Sequence, residues 1–162
     1  MVHIPEITLV CIDCYNYGKA TLAIKKTIEQ ITPSSVLFFT DSEVEIDGVT
    51  TIKIKPIRSK EEYSYFCIKE LANYVDTSHC LLIQWDGYVI NEDAWQECFL
   101  EYDYIGAPWN YFDGRNVGNG GFSLRSKKLL SILKEDEKIV SLHPEDDAIC
   151  RTYRPYLEKK YD

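Results

Sequence analysis

Asp13, Asp41 and Asp86 each stand just past an apolar run: ITLVCI at 7–12, VLFF at 36–39 and CLLI at 80–83. If those runs are neighbouring parallel strands, the three carboxylates share one edge of a sheet. Open α/β sheets bind ligands in the crevice along that edge. Aspartate also favours such turns for its local hydrogen bonds, which accounts for any one of the three without a ligand. Gln84-Trp85-Asp86-Gly87 is the sharpest of the set. A carboxylate at a strand tip beside glycine can bring a hard cation up to a ligand. An acidic domain repels a diphosphate, and a divalent ion, Mn²⁺ or Mg²⁺, bridging Asp86 and the phosphate oxygens would remove that conflict. The competing reading is a tight turn with Trp85 buried beside it.

Half of the eight glycines lie between Gly114 and Gly121, with Trp109, Tyr111 and Phe112 before them and Arg125 after. Glycines let a backbone approach a ligand, and aromatic faces suit the C–H faces of a sugar. Arg125 suits phosphate or carboxylate as a bidentate fork. A flexible hairpin tip with local packing explains the same composition. The run has neither the strand-to-helix G-x-G-x-x-G order of a dinucleotide site nor the Gly-Lys-Ser/Thr of a P-loop.

His143-Pro144-Glu145-Asp146-Asp147 sets three acids in a first helical turn, where they complement the helix dipole. As chemistry, Glu145 or Asp146 would take a proton from an acceptor hydroxyl. Cys11-Ile12-Asp13-Cys14 has zinc-knuckle spacing but no second ligand pair. His3, His79 and His143 lack partner motifs and read as structural, and no Ser-His-Asp or Cys-His set is legible.

The elements that must position these residues alternate between strand and helix. The near-continuous apolar runs suit strands covered on both faces. Between the first two, Ala20, Ile24, Ile28 and Ile31 form a helical stripe that Pro33 closes. Residues 51–55 alternate as a half-exposed edge strand would. Ser59-Lys60-Glu61-Glu62 is a capping-box signature opening a helix with Tyr63, Phe66, Cys67, Leu71, Tyr74 and Val75 on one face. A short helix is expected over 94–100, a short strand over 122–124, and a helix over 127–134 with Leu129, Leu130 and Leu133 inward. A last helix opens at Pro144 and stops before Pro155. The pattern predicts a three-layer α/β/α domain with a mostly parallel, Rossmann-like sheet.

With 162 residues the chain is read as a single domain, 1–162. It carries 18 basic and 26 acidic side chains, a net −8, with no Lys/Arg cluster, which argues against a nucleic-acid partner. No apolar run approaches the roughly 20 residues of a membrane span. The first residues have neither a basic nor an apolar signal-peptide region. The six cysteines are therefore expected as reduced thiols in a cytoplasmic protein.

Three strings taken together, Gln84-Trp85-Asp86-Gly87, EYDYIGAPW at 101–109 and GNGGFSLRS at 118–126, resemble an uncharacterised bacterial and viral family regarded as glycosyltransferase-like with a GT-A fold. The similarity runs from residue 7 to about residue 158. The resemblance implies a nucleotide-sugar donor and a divalent ion held at a strand end. Trp85-Asp86-Gly87 occupies the place of the family's D-x-D-type motif, with one Asp instead of two, and Asp86 as the implied metal ligand. It also implies that Asp13 and Asp41, with Trp85, Asp86 and Gly87, lie on the donor side. Trp109, Asn119, Gly120, Gly121 and Arg125 would lie on the sugar and acceptor side, and Glu145 and Asp146 would match the pair that supplies the base in inverting members. Relatives continue past this C-terminus with an aromatic- and His-containing segment, so the resemblance implies a domain trimmed at Asp162.

The expected activity is transfer of a sugar from a nucleotide-diphosphate donor to a hydroxyl of a carbohydrate or glycan acceptor. The alternative is a non-catalytic nucleotide- or sugar-binding module of a larger protein. A phosphotransfer or phosphatase site fits least, because Asp13-Cys14-Tyr15 supplies neither an acidic pair nor D-x-D after the first strand.

Overall fold

The computed structural model describes residues 1–161. Its centre is a six-stranded sheet in the order β3-β2-β1-β4-β6-β5. The strands are β1 (Val2–Ile12), β2 (Ile31–Thr40), β3 (Thr50–Lys53), β4 (His79–Ile83), β5 (Tyr104–Gly106) and β6 (Ser123–Ser126). β1 pairs in parallel with both β2 and β4, and β3 extends the parallel run beyond β2. β6 is antiparallel to β4 and to β5. The fold is α/β with a mostly parallel mixed sheet, as the alternating pattern predicts.

Strand alternation divides the core between the two faces of the sheet. Leu9, Cys11, Phe38, Leu81 and Ile83 face α1 (Tyr17–Ile28), meeting its Ala20, Ala23 and Ile24. Val10, Ile12, Leu37, Phe39, Cys80 and Leu82 face the opposite way. There they meet Phe66, Cys67 and Leu71 of the helical stretch that starts as α2 (Lys60–Tyr65) and runs on through a π turn, Phe66–Glu70. A third cluster joins α3 (Lys127–Glu135) to α4 (Glu145–Asp147), its π continuation Ala148–Thr152, and α5 (Arg154–Tyr161).

Several boundaries differ from the sequence reading. β1 starts five residues before the apolar run, and Ile31 begins β2 instead of closing the α1 stripe. Pro5 and Pro33 are tolerated because the β1/β2 register shifts between Ile4 and Thr8, where a ladder donor is dispensable. The helix expected over 94–100 is two 3₁₀ turns, Glu92–Ala94 and Glu97–Glu101, separated by extended backbone. That break lets Trp95 and Phe99 both pack against the sheet, edge to face at 5.5 Å. Helix also continues beyond Pro155, which sits in the first turn of α5, where its missing N–H costs nothing.

The capping box forms in part. Ser59 Oγ accepts from Glu62 N at 3.1 Å, while the Glu62 carboxylate turns to the Arg58 amide. All six cysteines are unpaired, five of them buried. No helix among the described residues is long and apolar enough to cross a membrane.

Candidate functional site

From β1 the chain builds outward through β2 to β3, then returns to place β4 on the other side of β1. The switch point of the sheet therefore lies between β1 and β4, and their carboxyl ends should border a crevice. A cleft of about 590 Å³ opens there. One wall carries Asp13, Cys14, Tyr15 and Asn16 from the end of β1, with Gln84 and Trp85 from the end of β4. Arg58 and Lys60 from the entry to α2, Asn119 and Gly121 from the glycine-rich loop, and His143, Glu145 and Asp146 close the rest.

The three strand-end aspartates share one edge of the sheet but have different environments. Asp13 lines the cleft and folds the following loop, its Oδ1 accepting from the amides of Tyr15 and Asn16. Asp41 does not line the cleft; its Oδ2 lies 3.6 Å from Arg58 Nη2 and its Oδ1 is buried without a hydrogen-bond partner. Tyr15 Oη donates to the Arg58 carbonyl at 3.1 Å, so the loops after β1 and before α2 are tied together. Asp86 sits at the tip of a tight turn in which Gln84 and Gly87 exchange backbone hydrogen bonds at 3.1 and 3.2 Å. Its side chain is exposed, and neither Asp86 nor Gly87 lines the cleft. Trp85 is exposed rather than buried, with the Lys19 ammonium 4.6 Å from the ring centroid.

The cleft floor is polar but closed. Gln84 Nε2 donates to Tyr63 Oη at 3.0 Å, and burial pushes the Tyr63 phenol well above its ordinary pKa. Burial likewise raises the Cys14 thiol, helped by the nearby Asp41 carboxylate.

The glycine-rich loop is shaped by packing. Arg125 is fully buried; its Nη2 donates to Glu145 Oε1 at 2.7 Å and to the Gly120 carbonyl, and its Nε donates to Ser123 Oγ at 3.0 Å. Glu145 Oε2 accepts from the Asp146 amide, and Asp146 Oδ2 accepts from the Gly120 amide at 3.0 Å. A Cβ on Gly120 would collide with Glu145 Oε1 and Arg125 Nη2, and one on Gly118 with the Trp109 ring. Glycine is required at both positions by protein neighbours.

These contacts redistribute the predicted site residues. Arg125 and Gly120 are buried beneath the cleft, so Arg125 offers no fork to a ligand. Trp109 packs over Gly118 and against Tyr111, away from the cleft. The expected flexible tip is instead pinned: Arg151 stacks 3.9 Å from the Tyr111 ring centroid and pairs with Asp113 Oδ2 at 2.7 Å. Glu145 is committed to Arg125, which leaves Asp146 as the more accessible carboxylate of the pair.

Asp13, Trp85, Asn119, Gly121, Glu145 and Asp146 do come together. Arg58, Lys60, Asn16 and His143 join them without having been singled out as site residues. The hint for Arg58 and Lys60 was present, since both flank the Ser59 cap at a helix entrance. His143, read as structural, shares its Nδ1 with Ser64 Oγ at 2.8 Å on the cleft wall.

The residues present do not fit the divalent ion implied by the resemblance. Among the described residues no three His, Cys, Asp or Glu side chains converge on a point that could hold a metal. A lone carboxylate can share Mg²⁺ with substrate phosphates only where those phosphates reach it. Asp86 stands on the turn tip, outside the residues that wall the cleft.

Fold and cleft define an α/β domain with its candidate ligand site at the sheet's switch point. More particularly, the family model described as "Protein of unknown function (DUF5672)" matches residues 48–160, and the chain belongs to that family. The match takes in Arg58, Trp85, Asn119, Glu145 and Asp146 and begins after β2, beyond Asp13 and Asp41. No curated protein matches the chain.

Proposed function

We propose that the switch-point cleft binds a nucleoside-diphosphate sugar and passes the sugar to a hydroxyl of a carbohydrate acceptor, the reaction of a glycosyltransferase. One observation carries this reading. Side chains from β1, β4, the glycine-rich loop and α4 converge on a cleft of ligand size at the edge where open α/β sheets hold nucleotides. In a direct displacement the acceptor oxygen attacks the anomeric carbon, and the bond from that carbon to the phosphate oxygen breaks. The nucleoside diphosphate leaves, and Asp146 takes the acceptor proton. Glu145 holds Asp146 in place through its backbone amide, and Asn119 and Gly121 border the space where the two sugars would meet. The unpaired cysteines accord with action in the cytoplasm.

A binding module without turnover is favoured by one detail: both Asp146 oxygens already accept backbone N–H groups, from Gly120 and Asp147. Turnover of a panel of nucleotide sugars by wild type and Asp146→Asn, followed by mass spectrometry, separates the two. Transfer or donor hydrolysis that falls about 10²–10⁴-fold in the variant, with nucleotide affinity kept, supports catalysis. Binding without turnover of any donor by the wild type supports the module.

A further inference from the structure

The cleft is bordered by two cationic side chains. Arg58 and Lys60 both line it, in a chain whose net charge is −8. The Arg58 backbone is tied to the loop after β1 by the bond from Tyr15 to its carbonyl, and its guanidinium lies 3.6 Å from Asp41 with the side chain 61% exposed. Lys60 enters no ion pair among the described residues. His143 faces the same space as a further hydrogen-bonding group, one ring nitrogen shared with Ser64 and the other 3.7 Å from Glu61. Lys19 lies over the Trp85 ring. Of the carboxylates on these walls, Glu145 is charge-compensated by Arg125, while Asp13 and Asp146 accept backbone amides and keep their negative charge, so the two cations are the groups a diphosphate would have to reach.

We infer that the cleft neutralises the diphosphate of its ligand with protein cations, Arg58 and Lys60, instead of a divalent ion at Asp86. Guanidinium and ammonium groups supply charge-assisted hydrogen bonds to phosphate oxygens directly, Arg in bidentate form and Lys as a point charge. Departure of a nucleoside diphosphate would then be eased by positive charge at the phosphate oxygens. The inference rests on the nucleotide-sugar reading only for what lies beyond the phosphates, because the cation wall would take pyrophosphate itself.

Titration calorimetry with inorganic pyrophosphate and with nucleoside diphosphates, each in EDTA and in Mn²⁺, tests this on wild type, Arg58→Ala/Lys60→Ala and Asp86→Ala. All three substituted side chains are exposed, so the fold should persist, and circular dichroism checks it. The expected result is pyrophosphate binding in EDTA that weakens at least about tenfold in the double variant and is unchanged in Asp86→Ala. Binding that needs Mn²⁺ and disappears in Asp86→Ala overturns the inference while leaving the nucleotide-sugar reading standing. Metal-free pyrophosphate binding lost in the double variant, with no added affinity for any nucleotide or nucleotide sugar, upholds the cation wall and removes the nucleotide-sugar reading. Absence of pyrophosphate binding, or binding indifferent to the double variant, overturns the inference.

Discussion

Arg125 and Glu145 meet in the interior, Nη2 to Oε1 at 2.7 Å, with the guanidinium side chain fully buried and the carboxylate only 8% exposed. The pair joins β6 to α4, and through Gly120 and Asp146 it fixes the loop that borders the cleft. Removing one partner of such a pair strands an uncompensated charge, typically at a cost of about 3–5 kcal/mol, whereas replacing both with apolar groups of similar size is often close to neutral. Glu145→Leu alone should therefore destabilise by about that amount, and adding Arg125→Met should recover most of the loss. Urea unfolding of the two singles and the double checks this; additive losses would show that the two groups act independently.

Asp136 ties the C-terminal helix down. Its Oδ2 accepts from Tyr156 Oη at 2.7 Å, Tyr161 Oη at 2.8 Å and Lys160 Nζ at 2.9 Å, and its Oδ1 accepts from the Lys138 amide. These bonds, the Lys138 amide foremost, hold its carboxyl well below the usual carboxylate range. A carboxyl with a depressed folded pKa contributes stability that is full above its unfolded value, about 3.9, and is lost as the pH falls towards the folded one. Pepsin should thus cut within α5 increasingly as the pH drops below about 4. Asp136→Asn should expose α5 to trypsin already near neutrality, and equal cleavage of variant and wild type would contradict the tie.

The thiols should separate sharply by reactivity. Burial pushes Cys80 and Cys150 up to about 12 and raises Cys11 and Cys67 further, so these four stay protonated and shielded at pH 8. Cys14 is buried at the cleft wall, and Cys98 alone is exposed. An aromatic disulfide reagent should label one thiol quickly in the native protein and six after unfolding. Two or more fast thiols would contradict this packing.

Much of the frame was legible because apolar runs and strand ends are local signals. The runs at 7–12, 36–39 and 80–83 gave three buried parallel strands, and their ends placed Asp13, Asp41 and the Gln84–Gly87 turn on one edge. What could not be read depends on contacts distant in sequence. Nothing local marks Arg125 as buried, because its partner Glu145 lies twenty residues on. The glycines of 118–121 suggested room for a ligand, yet the room at Gly118 and Gly120 is taken by Trp109 and by the ion pair. Pro33 and Pro155 misled as boundaries because a register shift and a helix first turn each tolerate a missing N–H.

The glycosyltransferase reading requires nucleotide sugars to occupy the cleft between the ends of β1 and β4. Mapping amide chemical shifts while titrating nucleoside diphosphates and nucleotide sugars tests it most directly. Occupancy predicts saturable shifts concentrated at 13–16, 57–60, 84–85 and 119–121. Shifts confined to another surface, such as the apolar groove around Tyr88, Trp95 and Phe99, or no shifts with any of these ligands, would contradict it.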